Sequence, residues 1–318
     1  MTPAPPAQVH PVAASPAGAL VRAVLALARP DGAIADTPGG SIVNADTNFL
    51  YLLAGLAAQA QGDPARWAPV ARGLDWLGQR AWGPEAPLPG AFPDALPLEG
   101  PGRPLGSPPT AAVGATAARF VALVGALPDP PEALVRSART AWAGLQRWNW
   151  VPGKGLRNAW ERDTRGAWSP RQVWYAADQA DYAAGRRGAL RLGFSPCPRV
   201  PWGRFDPTRL ALNAAGRPLA LTPPEEAAAL AILAFDGPPS WRPRLLGRLQ
   251  QMERLAPGFI LPLVARAHLG DGPARSSLVR HLASHPLPRD LDHADAPVYL
   301  AITGFVLRLL TPEPNRPR

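Results

Sequence analysis

Cysteine is almost missing from this chain. Cys197 is the only one among 318 residues, which excludes an intrachain disulfide and a cysteine-cluster zinc site. Lysine is as rare: of 33 basic residues, only Lys154 is a lysine. Apolar stretches such as Phe49 to Ala60 extend for about a dozen residues, short of the ~20 a bilayer span needs, so a transmembrane protein is excluded. Isoleucine is scarce, and no segment alternates β-branched and aromatic residues as a strand does. Residues 1–16 are rich in Pro and Ala and lack the basic and apolar regions of a secretory signal. They are expected to form a disordered tail, as are residues 312–318, and the protein is expected to be cytoplasmic.

What is present points to helix. Apolar residues make up 47% of the chain and charged residues 18%, a globular composition. The net charge of +9 does not imply nucleic acid, because the arginines form neither a stripe nor a recognisable module. The nearest thing to a basic cluster is Arg186, Arg187 and Arg191, expected on one helix. Helical periodicity predicts twelve segments, at 17–29, 46–61, 64–81, 109–125, 131–147, 170–192, 206–214, 223–235, 241–254, 257–269, 273–284 and 294–310. Asp63-Pro64, Ser169-Pro170 and Thr222-Pro223 read as capped helix starts, and most other prolines fall between segments.

The connections carry further information. Taken as six successive hairpins, the segments have short links between pairs and long links within them, as at 30–45, 82–108, 148–169 and 284–293. In an alternating array the long links all emerge at the amino ends of every second helix. A loop-rich face on a rigid scaffold is where binding and catalysis concentrate. The expected fold is therefore all-α, an (α/α)6 toroid of about twelve alternating helices, forming a single domain over residues 17–311.

Two stretches carry a family likeness: Asn44-Ala-Asp46-Thr-Asn48-Phe-Leu-Tyr51-Leu-Leu-Ala and Trp174-Tyr175-Ala-Ala-Asp178-Gln179-Ala-Asp181-Tyr182. With them, and across most of its length in architecture, the chain resembles the six-hairpin glycosidase superfamily. The resemblance implies a carbohydrate substrate and cleavage of a glycosidic bond. That chemistry needs one carboxyl kept protonated and a second kept ionised. Asp178 and Asp181 share a helix face, and a partly desolvated carboxyl has the raised pKa of a general acid. Asp46 and Asp163 are candidates for the partner that activates water. Asp46 also suits a helix cap, and Asp36 and Asp94 are further loop acids.

Trp142, Trp148, Trp150, Trp160, Trp168 and Trp174 crowd one region and offer flat surfaces for sugar rings, or alternatively a small core of the loop itself. Trp148, Trp150, Trp160, Glu161, Trp168, Trp174, Tyr175 and Asn48 are the expected substrate-binding residues. No cofactor, metal, nucleic acid or membrane is expected, and the oligomeric state is open. His281 and His285 are four apart, but Pro286 ends their helix. Two other functions fit the same scaffold. One is a non-catalytic toroid that binds sugar or a partner. The other is a lyase, epimerase or isoprenoid-type cyclase, in which Tyr175 or a histidine takes the proton; Asp292-His-Ala-Asp295 is similar to acidic motifs of such cyclases.

Overall fold

The computed structural model describes residues 16–34, 42–43, 47–60, 63–93, 96–97, 111–255, 260–284 and 296–311. The expected tails and Asp36, Asp46, Asp94, His285 and Asp290–Asp295 lie outside them. Among the described residues there are eleven α-helices. They are α1 (Pro16–Leu25), α2 (Thr47–Gln59), α3 (Ala68–Gly78), α4 (Gly114–Val124), α5 (Glu132–Trp148), α6 (Ala176–Arg191), α7 (Pro223–Asp236), α8 (Arg242–Leu255), α9 (Ile260–His268), α10 (Gly272–Ser284) and α11 (Ala296–Leu310). None is long and apolar enough to cross a membrane.

Six helices close a ring. α2 packs on α4, α4 on α6, α6 on α7, α7 on α9, α9 on α11, and α11 on α2 again. Outside it, α1 lies against α11, α3 against α2 and α4, α5 against α4, α8 against α7 and α9, and α10 against α9. Inner and outer helices differ in sequence as burial requires. α4 is buried almost all round, whereas α5 buries one stripe, Leu134, Ala138, Ala141, Trp142 and Leu145. Of the expected hairpins, the second (α3–α4) and the fifth (α8–α9) pack as pairs, whereas α1, α5 and α10 lie chiefly against α11, α4 and α9, the inner helices that precede them around the ring.

Small residues set the seams of the ring. A Cβ on Gly125 would lie 2.5 Å from the Gly188 Cα, and one on Gly55 would lie 2.6 Å from the Gly304 carbonyl oxygen. One on Gly304 would overlap the Tyr51 carbonyl. Backbones at α4–α6 and α2–α11 therefore touch directly, which no larger residue allows.

The fold is mostly helical but not purely so. Nine short strands are described: β1 (Ile42–Val43), β2 (Leu96–Pro97), β3 (Ala111–Val113), β4 (Trp150–Val151), β5 (Gly155–Leu156), β6 (Ala159–Arg162), β7 (Trp168–Pro170), β8 (Val173–Tyr175) and β9 (Ala211–Asn213). They pair antiparallel as β1–β2, β3–β6–β7, β4–β5 and β8–β9. Every one of them precedes an inner helix, so the small sheets form one layer at the amino ends of the ring.

Three sequence expectations change accordingly. The segment 206–214 is no helix. Asp206 accepts from the Thr208 and Arg209 N–H groups, so the segment becomes a turn leading into β9, and Gly216 turns the chain at φ +76° beyond that strand. The fourth outer helix is thus replaced by strand and turn. α6 starts at Ala176 rather than 170, because Ser169-Pro170 belongs to β7 and Val173-Trp174-Tyr175 pairs with β9. α4 starts at Gly114 rather than 109, with Ala111–Val113 paired to β6. By contrast, Asp63 caps a short 3-10 turn before α3, and the Thr222 N–H donates to Glu225 at 2.8 Å in a capping box opening α7.

Candidate active site

The strand layer delivers the chain into α6 at a defined point. The Ala176 N–H donates to the Leu210 carbonyl at 2.8 Å, and Tyr175 precedes the first turn. Asp178 lies in that turn, 8% exposed, and its Oδ2 accepts from Asn158 Nδ2 at 2.9 Å. Asn158 is itself fixed by backbone bonds: its N–H donates to Val173 and its carbonyl accepts from Gly114. It therefore ties the starts of α4 and α6 together. Burial pushes the Asp178 carboxyl up to about 7; the Asn158 bond pulls it down and the Asp181 charge pushes it up. Tyr175 is half-buried, and burial raises its phenol too. The charges it feels are Arg171, Asp178, Glu225 and Glu161, so these groups share one neighbourhood.

Asp181, one turn further along α6, has a different surrounding. Its carboxylate accepts from the Tyr51 hydroxyl at 2.9 Å and from Arg119 Nε at 2.9 Å, with Arg119 Nη2 closer still. Arg119 Nη2 also reaches Asp236 Oδ2 at 2.9 Å, and Arg308 grips both oxygens of Asp236 at 3.0 and 2.8 Å. A chain Tyr51–Asp181–Arg119–Asp236–Arg308 thus crosses the ring from α2 to α11. Burial disfavours the Arg119 charge, but Asp181 and Asp236 outweigh it and hold the guanidinium firmly protonated. Burial likewise opposes the Asp236 charge, and Arg119 and Arg308 keep it well below the usual carboxylate range. Asp181 is pushed up by burial and pulled back by Arg119 and Tyr51.

The other candidates fall into three groups. Asp46 lies outside the described residues, and Asn48 is half-buried in α2. Asp163 accepts from the Arg165 and Ala167 N–H groups at 2.9 Å and shapes the β6–β7 turn, while Glu161 on β6 stands 3.6 Å from Arg171. The tryptophans pack on one another and on Tyr182. Trp148 meets Trp160 edge to face, Trp168 meets Trp82, and Trp150 and Trp142 stack on the two sides of the Tyr182 contact at 4.3 and 5.3 Å. Trp174 is buried under Lys154 and Arg204. Trp148, Trp150, Trp160 and Trp168 stay half-buried, with part of each ring turned to solvent.

Four residues with buried or bridging roles are not among the sequence candidates: Asn158, Arg119, Asp236 and Arg308. Arg119 carries the clearest signal, a lone cation in the otherwise uncharged segment Gly114–Val124. Asp236 closes an equally apolar run in α7.

No family profile and no curated protein matches the sequence. Solved structures do match in shape. The crystal structure of D-mannose isomerase superposes with a TM-score of 0.58 at 10% identity, over 95% of this chain and 99% of that one. A sugar epimerase from a ruminal bacterium gives a TM-score of 0.47 at 8% identity, over 90% and 82%. The first likeness spans nearly the whole of both chains and is a likeness of fold.

Proposed function

We propose that this chain is a carbohydrate enzyme that shifts a proton on a sugar, an aldose–ketose isomerase or an epimerase, with Asp178 as the proton carrier. The observation that carries the reading is the Asp178 carboxyl itself. It is buried at the loop-rich mouth, bonded by the uncharged Asn158, and pushed to about 7. A group that titrates near the working pH can both take and return a proton. In the ionised form it would remove the hydrogen on the carbon next to the carbonyl of an open-chain sugar. The electron pair then moves into an enediol, and the same carboxyl returns the proton to the neighbouring carbon. Tyr175, kept protonated by burial, would donate to the carbonyl oxygen as it gains charge and take a proton back from the neighbouring hydroxyl as that oxygen becomes the new carbonyl. Trp148, Trp160 and Trp168 would supply ring faces for stacking.

Glycosidic hydrolysis asks for a second carboxyl across the bond. Asp181 is engaged by Arg119 and Tyr51, and Asp163 by its own turn, which favours proton transfer over hydrolysis. The fold shared with a sugar isomerase adds support of the same sense. The test is incubation with a panel of aldohexoses and ketohexoses in deuterated water, followed by proton NMR. The expected result is interconversion, with deuterium entering at the carbon beside the carbonyl, abolished in Asp178→Asn. Release of reducing sugar from oligosaccharides without any such exchange would overturn the reading and return Asp46 to the role of partner acid.

A further inference from the structure

At the carboxyl ends of the inner helices, opposite the mouth that holds Asp178, a second cavity of about 260 Å³ opens. Its wall is made by the last turns of α2, α4 and α6 with the ends of α7 and α11, chiefly alanine and glycine. Arg119, Arg187, Arg191 and Arg308 line it, with Asp236 the one acid among the lining residues. Asp181 takes up one more of those charges by gripping Arg119 from beneath. The cavity therefore keeps an excess of two positive charges.

We propose that this cavity is a binding site for a phosphate-type oxyanion, either free or as the phosphoryl group of a small metabolite. Arg308 and Arg119 are already committed to Asp236 and form its rigid floor. Arg187 and Arg191 are the available arms: among the described residues neither has a hydrogen-bond or ion-pair partner, while their neighbour Arg186 donates to the Cys197 carbonyl. Guanidinium groups bind oxyanions through paired N–H bonds, and two of them on successive turns can hold one anion from two sides. Helix ends alone do not account for the cluster. Carboxyl-end dipoles favour cations in the last turn, which covers Arg191 and Arg308. Arg187 stands a full turn earlier, beside Gly188, whose carbonyl is already bonded to the Leu192 N–H. Arg187 and Arg191 keep part of their side chains in solvent, and partial burial with the charges of Arg119, Arg191 and Arg308 pulls Arg187 below its ordinary range against the opposing pull of Asp236. The wall of small residues leaves the space for an anion.

The test is calorimetric titration of the whole chain with inorganic phosphate and, separately, with glucose 6-phosphate, at an ionic strength held constant with chloride. The expected result is saturable binding of one anion per chain by at least one of the two probes, with a matching rise in thermal midpoint. Binding of phosphate alone identifies a free anion as the ligand, and tighter binding of the sugar phosphate identifies a phosphoryl metabolite. Arg187→Gln should weaken that binding at least tenfold. Arg165→Gln, an exposed arginine in the β6–β7 turn, should leave it unchanged. Should R187Q melt early in chloride, R191Q provides the same reading. No binding above the chloride control, or equal loss in R165Q, overturns the proposal. It stands or falls independently of sugar isomerisation, because neither arginine touches the other mouth.

Discussion

Asp178 and Asp181 lie one turn apart on α6, yet one faces an amide and the other a guanidinium. That difference divides their work. Asp181 is the anion in a charge chain that spans the ring, and Asp178 is a carboxyl close to half-ionised at neutral pH. On the proposed reading, these different surroundings separate a structural charge at Asp181 from a working proton at Asp178.

The first prediction concerns the stability of Asp178→Asn. The native carboxyl titrates near 7 and the unfolded one near 3.8, so the folded state holds the extra proton between those values. The stability this confers is complete below about pH 4 and is lost as pH rises through about 7. The parent should therefore weaken relative to the Asn variant across that window, by on the order of 4 kcal/mol at its end. Urea denaturation at pH 4, 6 and 8 measures it. Parallel curves for the two proteins would show that Asp178 is not buried as described.

Asn158→Ala tests the link between donor and acid. The Asn158 bond lowers the Asp178 pKa, so its removal should move that pKa upward. If ionised Asp178 is the base, the rising limb of the pH–rate profile shifts to higher pH and turnover at pH 7 falls. A lower rate at every pH with an unmoved limb would point to misplacement of the loop instead.

Arg119→Met should be among the most damaging substitutions in the chain. It leaves the buried Asp181 with the Tyr51 hydroxyl alone, while Asp236 keeps Arg308, a loss of about 3–5 kcal/mol. Adding Asp181→Asn should cost less in that background than in the parent, because the two residues act as one unit. Thermal melts of the single and double variants give the coupling directly.

Two glycines in helices should respond in opposite senses to alanine. Gly188 meets the Val121 and Ala122 backbone across the α4–α6 seam, so Gly188→Ala should destabilise by about 1–3 kcal/mol. Gly247 on α8 faces open space, and Gly247→Ala should stabilise by up to about 1 kcal/mol. Thermal midpoints of the two variants check both signs.

Periodicity in the sequence located every described helix, with the start of α6 furthest off, at Ala176 rather than 170, whereas loop lengths gave packed neighbours at α3–α4 and α8–α9 but not at the first, third and sixth hairpins. Periodicity placed helix where strand occurs at 111–113, 170, 173–175 and 211–213, because those strands are too short to show alternation and form by pairing with other segments. Ser169-Pro170 has the local chemistry of a cap, but β6 claims it first. Asp178 stood out as a candidate from its neighbouring carboxylate and aromatics, and it lies in the first turn of α6. Its contrast with Asp181 did not stand out, since Arg119 lies 62 residues away in sequence from Asp181. The loop tryptophans were visible as a cluster, and their stacking on Tyr182 and on one another required the folded loop.

The ring closes between its first and last inner helices, where Gly304 of α11 meets Tyr51 of α2. During synthesis, α2 leaves the ribosome long before α11 exists. Its Leu52–Gly55 side must wait uncovered while some 240 residues are added. Nascent chains of this protein therefore depend on the final helix for closure, and premature termination before residue 296 leaves an open arc with an apolar face at each end. Such fragments should be the preferred substrates of chaperones and proteases, whereas the completed ring should not.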